Sequence, residues 1–350
     1  MTTELYPYDD FGDNSTINIQ KDRKHELGWL IKDIIKPELP ALIDKVEDCL
    51  SILNNTEISR MPITSGASAD NVNAPQIQGI ITRQGSYILD IQFALKFPQY
   101  RKGQLMQFRI DDSAAPQVPK PTRFAIPQLE ATNDKLLEIL QLLENLELID
   151  DDESFVKIFG DALVATTQMI NVLHSPPSEL NFPHDNNCML KHFFGDKFNY
   201  LCESVHHVIS LEAVICKDEV ILEFRNLDKV IKRPWCNLDE QSGKSVVDVI
   251  KEQQKEERNK SLQDILLANN IEVEEQNLLN TFMQTTFNKE STTLQQAQFF
   301  ISRCVTFDRK VVTEQEKVST ACSDRLLVSL ASKLDEVEKS IGNHFANLSM

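Results

Sequence analysis

The segment Ser242-Gly243-Lys244-Ser245 ends like a phosphate-binding loop. Such a loop needs its first glycine at the position that Leu238 occupies, because backbone amides must wrap the phosphates there. The segment also follows polar sequence rather than a strand-like run. Only 10 of the 350 residues are glycine, which further disfavours glycine-lined phosphate cradles. We therefore do not predict a nucleotide site.

Cys202, His206 and His207, with Cys216 further along the chain, could in principle gather a metal ion. In a strand the two histidines would point to opposite faces, and no second ligand pair has zinc spacing. The acidic run 144–153 lacks the alternating ligands and glycine of a calcium loop and is more typical of a helix N-terminus. No serine or cysteine lies in a recognisable catalytic context. We predict no metal, no cofactor and no catalytic residue.

Apolar residues recur at three- and four-residue steps in three long segments, as on one face of a helix. Such a leucine row could be a zipper between chains, which would make the protein a self-associating coiled-coil scaffold. It could also be the core of a bundle within one chain, where the central and C-terminal rows could pair with each other. Neither row sustains about four heptads, so the second interpretation is favoured. The predicted bundle core comprises Leu30, Ile34, Leu42, Val46, Leu129, Leu136, Leu143, Leu327, Leu330, Leu334, Val337 and Ile341.

Three bulky aromatic residues, Phe193, Phe194 and Trp235, lie in short polar surroundings beside predicted loops. They could anchor a core, and exposed aromatics of this kind also build binding patches. We carry them forward as candidate partner-binding residues.

The positions of these periodicities predict an α+β protein. Its N-terminal, central and C-terminal helices would form a helical bundle, and inserted segments would form a separate antiparallel β-sheet domain. The predicted parts are a disordered tail (1–20), the bundle (21–55, 127–175 and 308–350), the sheet domain (76–112 and 198–235) and a polar insertion with additional helical or strand segments (236–307).

Three finer expectations concern the connections. Residues 54–76 carry Ser, Asn, Pro and Gly without a period, which predicts a long loop. Pro37 and Pro40 predict a kink or break near residue 37. Lys217-Asp218 predicts a two-residue hairpin turn, and the later strands are expected to join the earlier ones in one sheet.

The formal net charge of −17 opposes binding to nucleic acid and to anionic membranes. No apolar run approaches the roughly 18 residues of a membrane span, so no direct membrane insertion is expected. We also find no amphipathic basic helix of the membrane-binding kind. The seven cysteines are scattered singly, which is typical of reduced thiols in the cytosol.

Several segments together resemble the Rogdi family, once called leucine-zipper-like. They are Glu26-Leu27-Gly28-Trp29-Leu30, the β block from Ile77 to Gly85, Leu95-Lys96-Phe97-Pro98, the leucine-rich helix that follows and the C-terminal amphipathic helix. The order of these segments is the same along most of the chain. In length and insertions the sequence is closer to the fungal members.

The resemblance implies a protein of two domains, α and β, without enzymatic activity. It implies the small subunit of the RAVE complex, a regulator of the vacuolar and endosomal proton ATPase (V-ATPase). The implied partners are a large WD-repeat scaffold, a Skp-type adaptor and the ATPase's peripheral-sector subunits. The expected location is the cytoplasm, with peripheral recruitment to vacuolar and endosomal membranes. The family offers no catalytic residues to carry over.

Overall fold

The computed structural model describes residues 15–65, 74–109, 123–184, 186–195, 197–274 and 292–349. The chain divides into two compact units. The first, which we call the helical unit, comprises Met1–Thr56, Pro127–Ser175 and Arg325–Met350. The second, the sheet unit, comprises Glu57–Ile126 and Pro176–Asp324. The protein therefore combines helices with antiparallel sheets, as the sequence predicts.

The helices in the described residues are α1 (Ser15–Trp29), a π-helical segment (Leu30–Ile35), α2 (Lys36–Leu53), α3 (Pro127–Leu148), α4 (Asp152–His174), α5 (Cys188–Phe194), α6 (Lys197–Cys202), α7 (Val246–Glu256), α8 (Leu262–Ala268), α9 (Leu294–Arg303) and α10 (Arg325–Leu348). The strands are β1 (Ile58–Thr64), β2 (Gln76–Gln84), β3 (Tyr87–Lys96), β4 (Met106–Phe108), β5 (Phe124–Ala125), β6 (His207–Cys216), β7 (Glu219–Lys229), β8 (Val273–Glu274), β9 (Thr292–Thr293), β10 (Cys304–Phe307) and β11 (Lys310–Ser323).

In the helical unit four long helices pack around an apolar core. Helices α3 and α10 each contact both α2 and α4. Their apolar residues at three- and four-residue spacing are buried, because this spacing places them on the face turned to the neighbouring helices. Helix α4 begins after Asp151, whose carboxylate accepts a hydrogen bond from the Ser154 amide at 2.9 Å. The acidic run thus caps a helix.

The entry into the helical unit differs from the prediction. Leu30 and Ile34 are only partly buried, whereas Ile31 and Ile35 are buried. These residues lie in the π-helical segment, and its extra residue per turn shifts which side chains face the core. The chain then continues as α2 through both prolines, without a break. What occurs close to residue 37 is the change from the π-helical segment to the α-helix, between Ile35 and Lys36.

The predicted disordered tail is wrong where the structure describes it. Residues 15–20 belong to α1. The rest of the predicted tail, residues 1–14, lies outside the described residues.

The sheet unit contains two main antiparallel sheets rather than the single sheet that we expected. The first has the order β1-β2-β3-β4, with β5 paired to β3, and the second has the order β10-β11-β7-β6. Phe93 of β3 lies 4.8 Å from Phe224 of β7 between ring centroids, and it stacks on Phe108 at 4.4 Å. All three rings are buried. The core of this unit therefore lies between the inner faces of the two sheets.

Three boundaries are corrected by the strand pairing. The predicted loop 54–76 contains β1, which pairs with β2 in antiparallel register. Residues 310–323, expected in the helical bundle, form β11 and pair with β7. Residues 198–202, predicted as the start of the sheet-domain segment 198–235, belong instead to helix α6. In β11 burial alternates from Glu316 onward, but the buried positions include the polar residues Glu316 and Thr320, which obscures this period in the sequence.

The predicted polar insertion 236–307 instead forms a folded part of the sheet unit. Its helices α7, α8 and α9 contribute to an apolar core, while residues 275–291 lie outside the described part. Each of these helices begins with a Ser or Thr cap, and amphipathic helices so capped bury one face in spite of a polar composition. The buried core residues are Trp235, Val247, Ile250, Ile265, Leu266, Ile271, Ala297, Ile301, Cys304 and Val311.

Candidate functional site

The phosphate-loop-like segment is a helix cap. The Ser245 hydroxyl accepts a hydrogen bond from the Asp248 amide at 3.2 Å, and the Asp248 carboxylate accepts one from the Ser245 amide at 2.9 Å. Lys244 Nζ donates to both carboxylate oxygens of Glu252, at 2.8 and 2.7 Å. The amide and the lysine that a phosphate would need are thus already engaged.

The Cys and His residues do not assemble a metal site. Among the residues with described positions, no group of three or more His, Cys, Asp and Glu side chains could hold a metal ion. His207 instead pairs with Asp228 through Nδ1. Cys202 is buried, and this burial raises the pKa of its thiol to about 12.

Thiol reactivity gives a direct test of this arrangement. Burial raises the thiol pKa of Cys49 and Cys202 to about 12 and that of Cys304 to about 11. Since the thiolate is the reactive form, iodoacetamide at about pH 8 should label the exposed Cys188 in the folded chain and leave these three unlabelled until urea is added. Peptide mass spectrometry measures this. Labelling of Cys49 or Cys202 at the rate of Cys188 in the folded chain would contradict the packing described.

The three aromatic residues proposed for partner binding are buried, so their prediction as an exposed patch is wrong. Phe193, Phe194 and Trp235 are 5%, 6% and 0% exposed. Phe194 packs edge-on against Phe108, with ring centroids 5.5 Å apart, and Trp235 stacks on Phe300 at 5.0 Å. Their polar neighbours in sequence concealed that they pack into the cores of the sheet unit.

A buried charge network joins the strands of the second sheet, and the sequence did not reveal it. Arg225 of β7 binds Glu212 of β6 at 2.9 Å and Glu314 of β11 at 3.1 Å. The neighbouring Asn226 donates to Glu316 of β11 at 2.8 Å. The Glu316 carboxylate also accepts from the backbone amide of Gln99, which precedes β4. These charges satisfy one another across the strands, so the network supports the sheet rather than a reaction.

The outer side of the first sheet presents an exposed face that is largely uncharged. We call it the glutamine face, and at its centre Ile80 is 51% exposed. A shallow depression of about 280 Å³ lies over it. The residues of the face are Gln78, Ile80, Gln92, Ala94, Gln107 and Arg109.

Gly79 determines how closely β2 approaches β3 beneath this face. A Cβ atom at Gly79 would lie 2.2 Å from the carbonyl oxygen of Gln92 and 2.6 Å from Cα of Phe93. Strand β2 can therefore approach β3 this closely only with glycine at this position.

The electrostatics of the glutamine face differ from those of the whole chain. Arg109 Nε donates to the side-chain oxygen of Gln92 at 3.3 Å, and the Gln92 amide donates to Asp90 at 2.7 Å. Arg60 on β1 and Lys96 on β3 share the outer side of the sheet with these residues, by strand register. The outer side carries three positive charges and one negative charge among these groups, in a chain with a net charge of −17. Such a surface can recognise a protein.

The comparison with known proteins decides the family. A family model described as "Rogdi leucine zipper containing protein" matches residues 26–349. This chain belongs to the Rogdi family. It is 38% identical over 351 residues to the Saccharomyces cerevisiae protein named "Regulator of V-ATPase in vacuolar membrane protein 2". The alignment covers 99% of this chain and 97% of the relative. The resemblance read from the residues is thus confirmed.

In this Rogdi chain the leucine rows face inward. Leu42 and Val46 of α2, the three leucines of α3 and the five apolar residues predicted on α10 are buried inside the helical unit. Helices α3 and α10 each pack on α2 and α4. The two leucine rows therefore share their neighbours, and each is covered by helices of its own chain.

In the same Rogdi chain, no helix among the described residues is both long enough and apolar enough to span a membrane.

Proposed function

We propose that this protein is a non-enzymatic adaptor subunit of a RAVE-type complex. It would promote assembly and reassembly of the peripheral catalytic sector of the V-ATPase with its membrane sector. The observation that carries the proposal is the 38% identity, over 99% of the chain, to a relative named as a regulator of V-ATPase. Because the alignment includes both the helical and the sheet unit, it supports a role that uses the whole chain.

The proposed partners are a large WD-repeat scaffold subunit, a Skp-type adaptor and peripheral-sector subunits of the ATPase. The protein would act in the cytoplasm and reach vacuolar and endosomal membranes through these partners. A net charge of −17 supports indirect recruitment, since it opposes direct contact with an anionic leaflet. Purification of the tagged protein tests this role. If neither a WD-repeat scaffold nor ATPase peripheral subunits are recovered with it, the proposal is contradicted.

In this proposal the glutamine face is the surface that binds the WD-repeat scaffold. Its carboxamides can both donate and accept hydrogen bonds, so they fit the loop backbone of a protein partner. Ile80 supplies a central apolar contact. The surrounding positive charge allows a close approach that the rest of this acidic chain would disfavour.

Replacing Ile80 with Asp should weaken scaffold binding by about tenfold or more, because a charge would be desolvated at the centre of the contact. Leu267→Asp on α8 is the matched control, since Leu267 is also an exposed apolar residue of the sheet unit. Binding of both variants to the purified scaffold is measured by calorimetry, and circular dichroism checks folding. Equal binding by the two variants would remove the glutamine face from the proposal.

A second candidate, the self-associating coiled-coil scaffold, finds less support. Its seam residues are buried by helices of the same chain. The experiment that separates the two candidates is a pair of substitutions in α10.

A further inference from the structure

Helix α1 and the π-helical segment present a row of basic side chains beside an exposed tryptophan. Lys21, Lys24, His25, Trp29 and Lys32 are spaced by three or four residues or are adjacent, which places them on one side of the helix. All five are exposed, and Trp29 is 55% exposed.

This row lines an open groove of about 550 Å³, which we call the basic groove. Its other lining residues are Gly28, Asp33 and Asp152, the last from the first turn of α4. The groove lies wholly within the helical unit.

The local charge is opposite to that of the chain. Residues 21–36 contain five basic and three acidic side chains, a net charge of +2, so the remainder carries −19 of the total of −17. Lys36 is engaged, since its Nζ donates to the carbonyl oxygen of Ile149 at 2.7 Å. Lys21, Lys24 and Lys32 form no ion pair with any side chain in the described residues. After the hydrogen bonds from Ser154, Lys24 also helps to lower the pKa of Asp151 electrostatically. Each of the three ammonium groups can still contact a ligand.

Gly28 keeps the groove open. A glycine within a helix costs about 1 kcal/mol relative to alanine. Gly28 is not among the residues with a left-handed backbone, so the conformation does not require it. A Cβ atom there would lie 3.4 Å from the Asp152 carboxylate, so alanine fits but a larger side chain would fill the groove.

We propose that the basic groove binds an extended acidic segment of a partner protein, with an aromatic residue of that segment against Trp29. From Lys21 to Lys32 the helix rises about 16 Å, the length of about five extended residues. Lysine ammonium groups pair with carboxylates along this length, and the indole face stacks on an aromatic ring.

The groove's shape and charge favour such a segment over an anionic membrane. The two carboxylates of Asp33 and Asp152 divide the positive charge, which suits acidic residues at intervals rather than a uniform layer of headgroups. Among the described residues of the lining, Trp29 supplies the one large apolar ring, too little to anchor a helix in a bilayer. A concave surface also matches a chain segment better than a flat one.

Calorimetry on the full-length chain tests the proposal. The probe is a synthetic peptide of Asp and Glu residues around one Phe, and its control replaces each acid with Asn or Gln. We expect binding of the acidic peptide that weakens with salt, and none of the neutral peptide. Absence of acidic-peptide binding, or binding only to phosphatidylserine vesicles, would overturn the proposal.

Matched variants locate the binding. Lys21→Glu/Lys24→Glu should weaken it by about tenfold or more, whereas Lys157→Glu/Lys339→Glu, with the same charge change at exposed sites of the helical unit, should not. Equal effects of the two pairs would overturn a specific site.

Two substitutions at Gly28 test the shape of the groove without changing its charge. Gly28→Leu should block peptide binding, while Gly28→Ala should keep it and raise the stability of the helix. Equal binding by both variants would argue against the groove.

The alternative occupant of the groove is residues 1–14 of this chain, because they contain four acidic and three aromatic residues. If a chain that begins at Ser15 binds the peptide much more tightly, the occupant is this segment and the partner proposal falls. None of these results depends on the role in V-ATPase assembly, so the two proposals fail separately.

Discussion

Replacing Asp324 with Asn should destabilise the sheet unit by about 3–5 kcal/mol. The Asp324 carboxylate accepts a hydrogen bond from Arg83 Nε at 2.7 Å, and the same oxygen lies 2.6 Å from Arg83 Nη2. Both side chains are at most 2% exposed. Asparagine preserves the shape but removes the negative charge, which leaves the guanidinium buried without a counter-charge.

Urea denaturation followed by circular dichroism measures this loss. Arg83→Met/Asp324→Leu should recover much of it, because neither charge is then buried. Glu257→Gln is the control, since its ion pair with Lys260 is exposed and should contribute less than about 1 kcal/mol. A loss for Asp324→Asn as small as that of the control would show that the pair is hydrated in solution.

The sequence revealed the elements whose periodicity is uninterrupted. The leucine spacing located α3 and α10, and the turn at Lys217-Asp218 joins β6 to β7 as predicted. Lys217 has a φ of 60°, the left-handed conformation that such a turn requires.

The sequence concealed elements in which polar or charged residues occupy buried or irregular positions. Arg83 and Arg225 resemble solvent-facing strand residues, yet both are buried through ion pairs with distant segments. Pro62 in β1 argued against a strand, although β1 pairs with β2. In β11 a register shift between Glu314 and Glu316 breaks the alternation. In each case the burial or the strand pairing depends on residues from another segment of the chain.

The candidate surfaces could be predicted only in part. Ile80 and Ile81 are adjacent in an alternating strand, so one of them had to face outward, but only the pairing with β3 shows which. The basic row on α1 has a readable spacing. The acidity of the chain as a whole conceals it, and the row contains one aromatic residue rather than an apolar face.

The leucine row of α10 supports the second large prediction. Replacing Leu330 and Leu334 with Asn should destabilise the helical unit by several kcal/mol, on the order of 5 or more, because each change removes buried apolar contacts and buries an amide without a partner. Both leucines are 1% exposed, on the helix that packs against α2 and α4.

Urea denaturation and light scattering together distinguish the two functions proposed for this row. If the row is the core of the unit, the variant loses helical signal at lower urea concentration and the wild-type mass is that of one chain. Val328→Asn on the same helix should leave stability nearly unchanged, since Val328 is 42% exposed. A wild-type dimer that separates into folded single chains in the double variant would instead establish the coiled-coil scaffold, because only leucines shared between chains can be lost without unfolding either one.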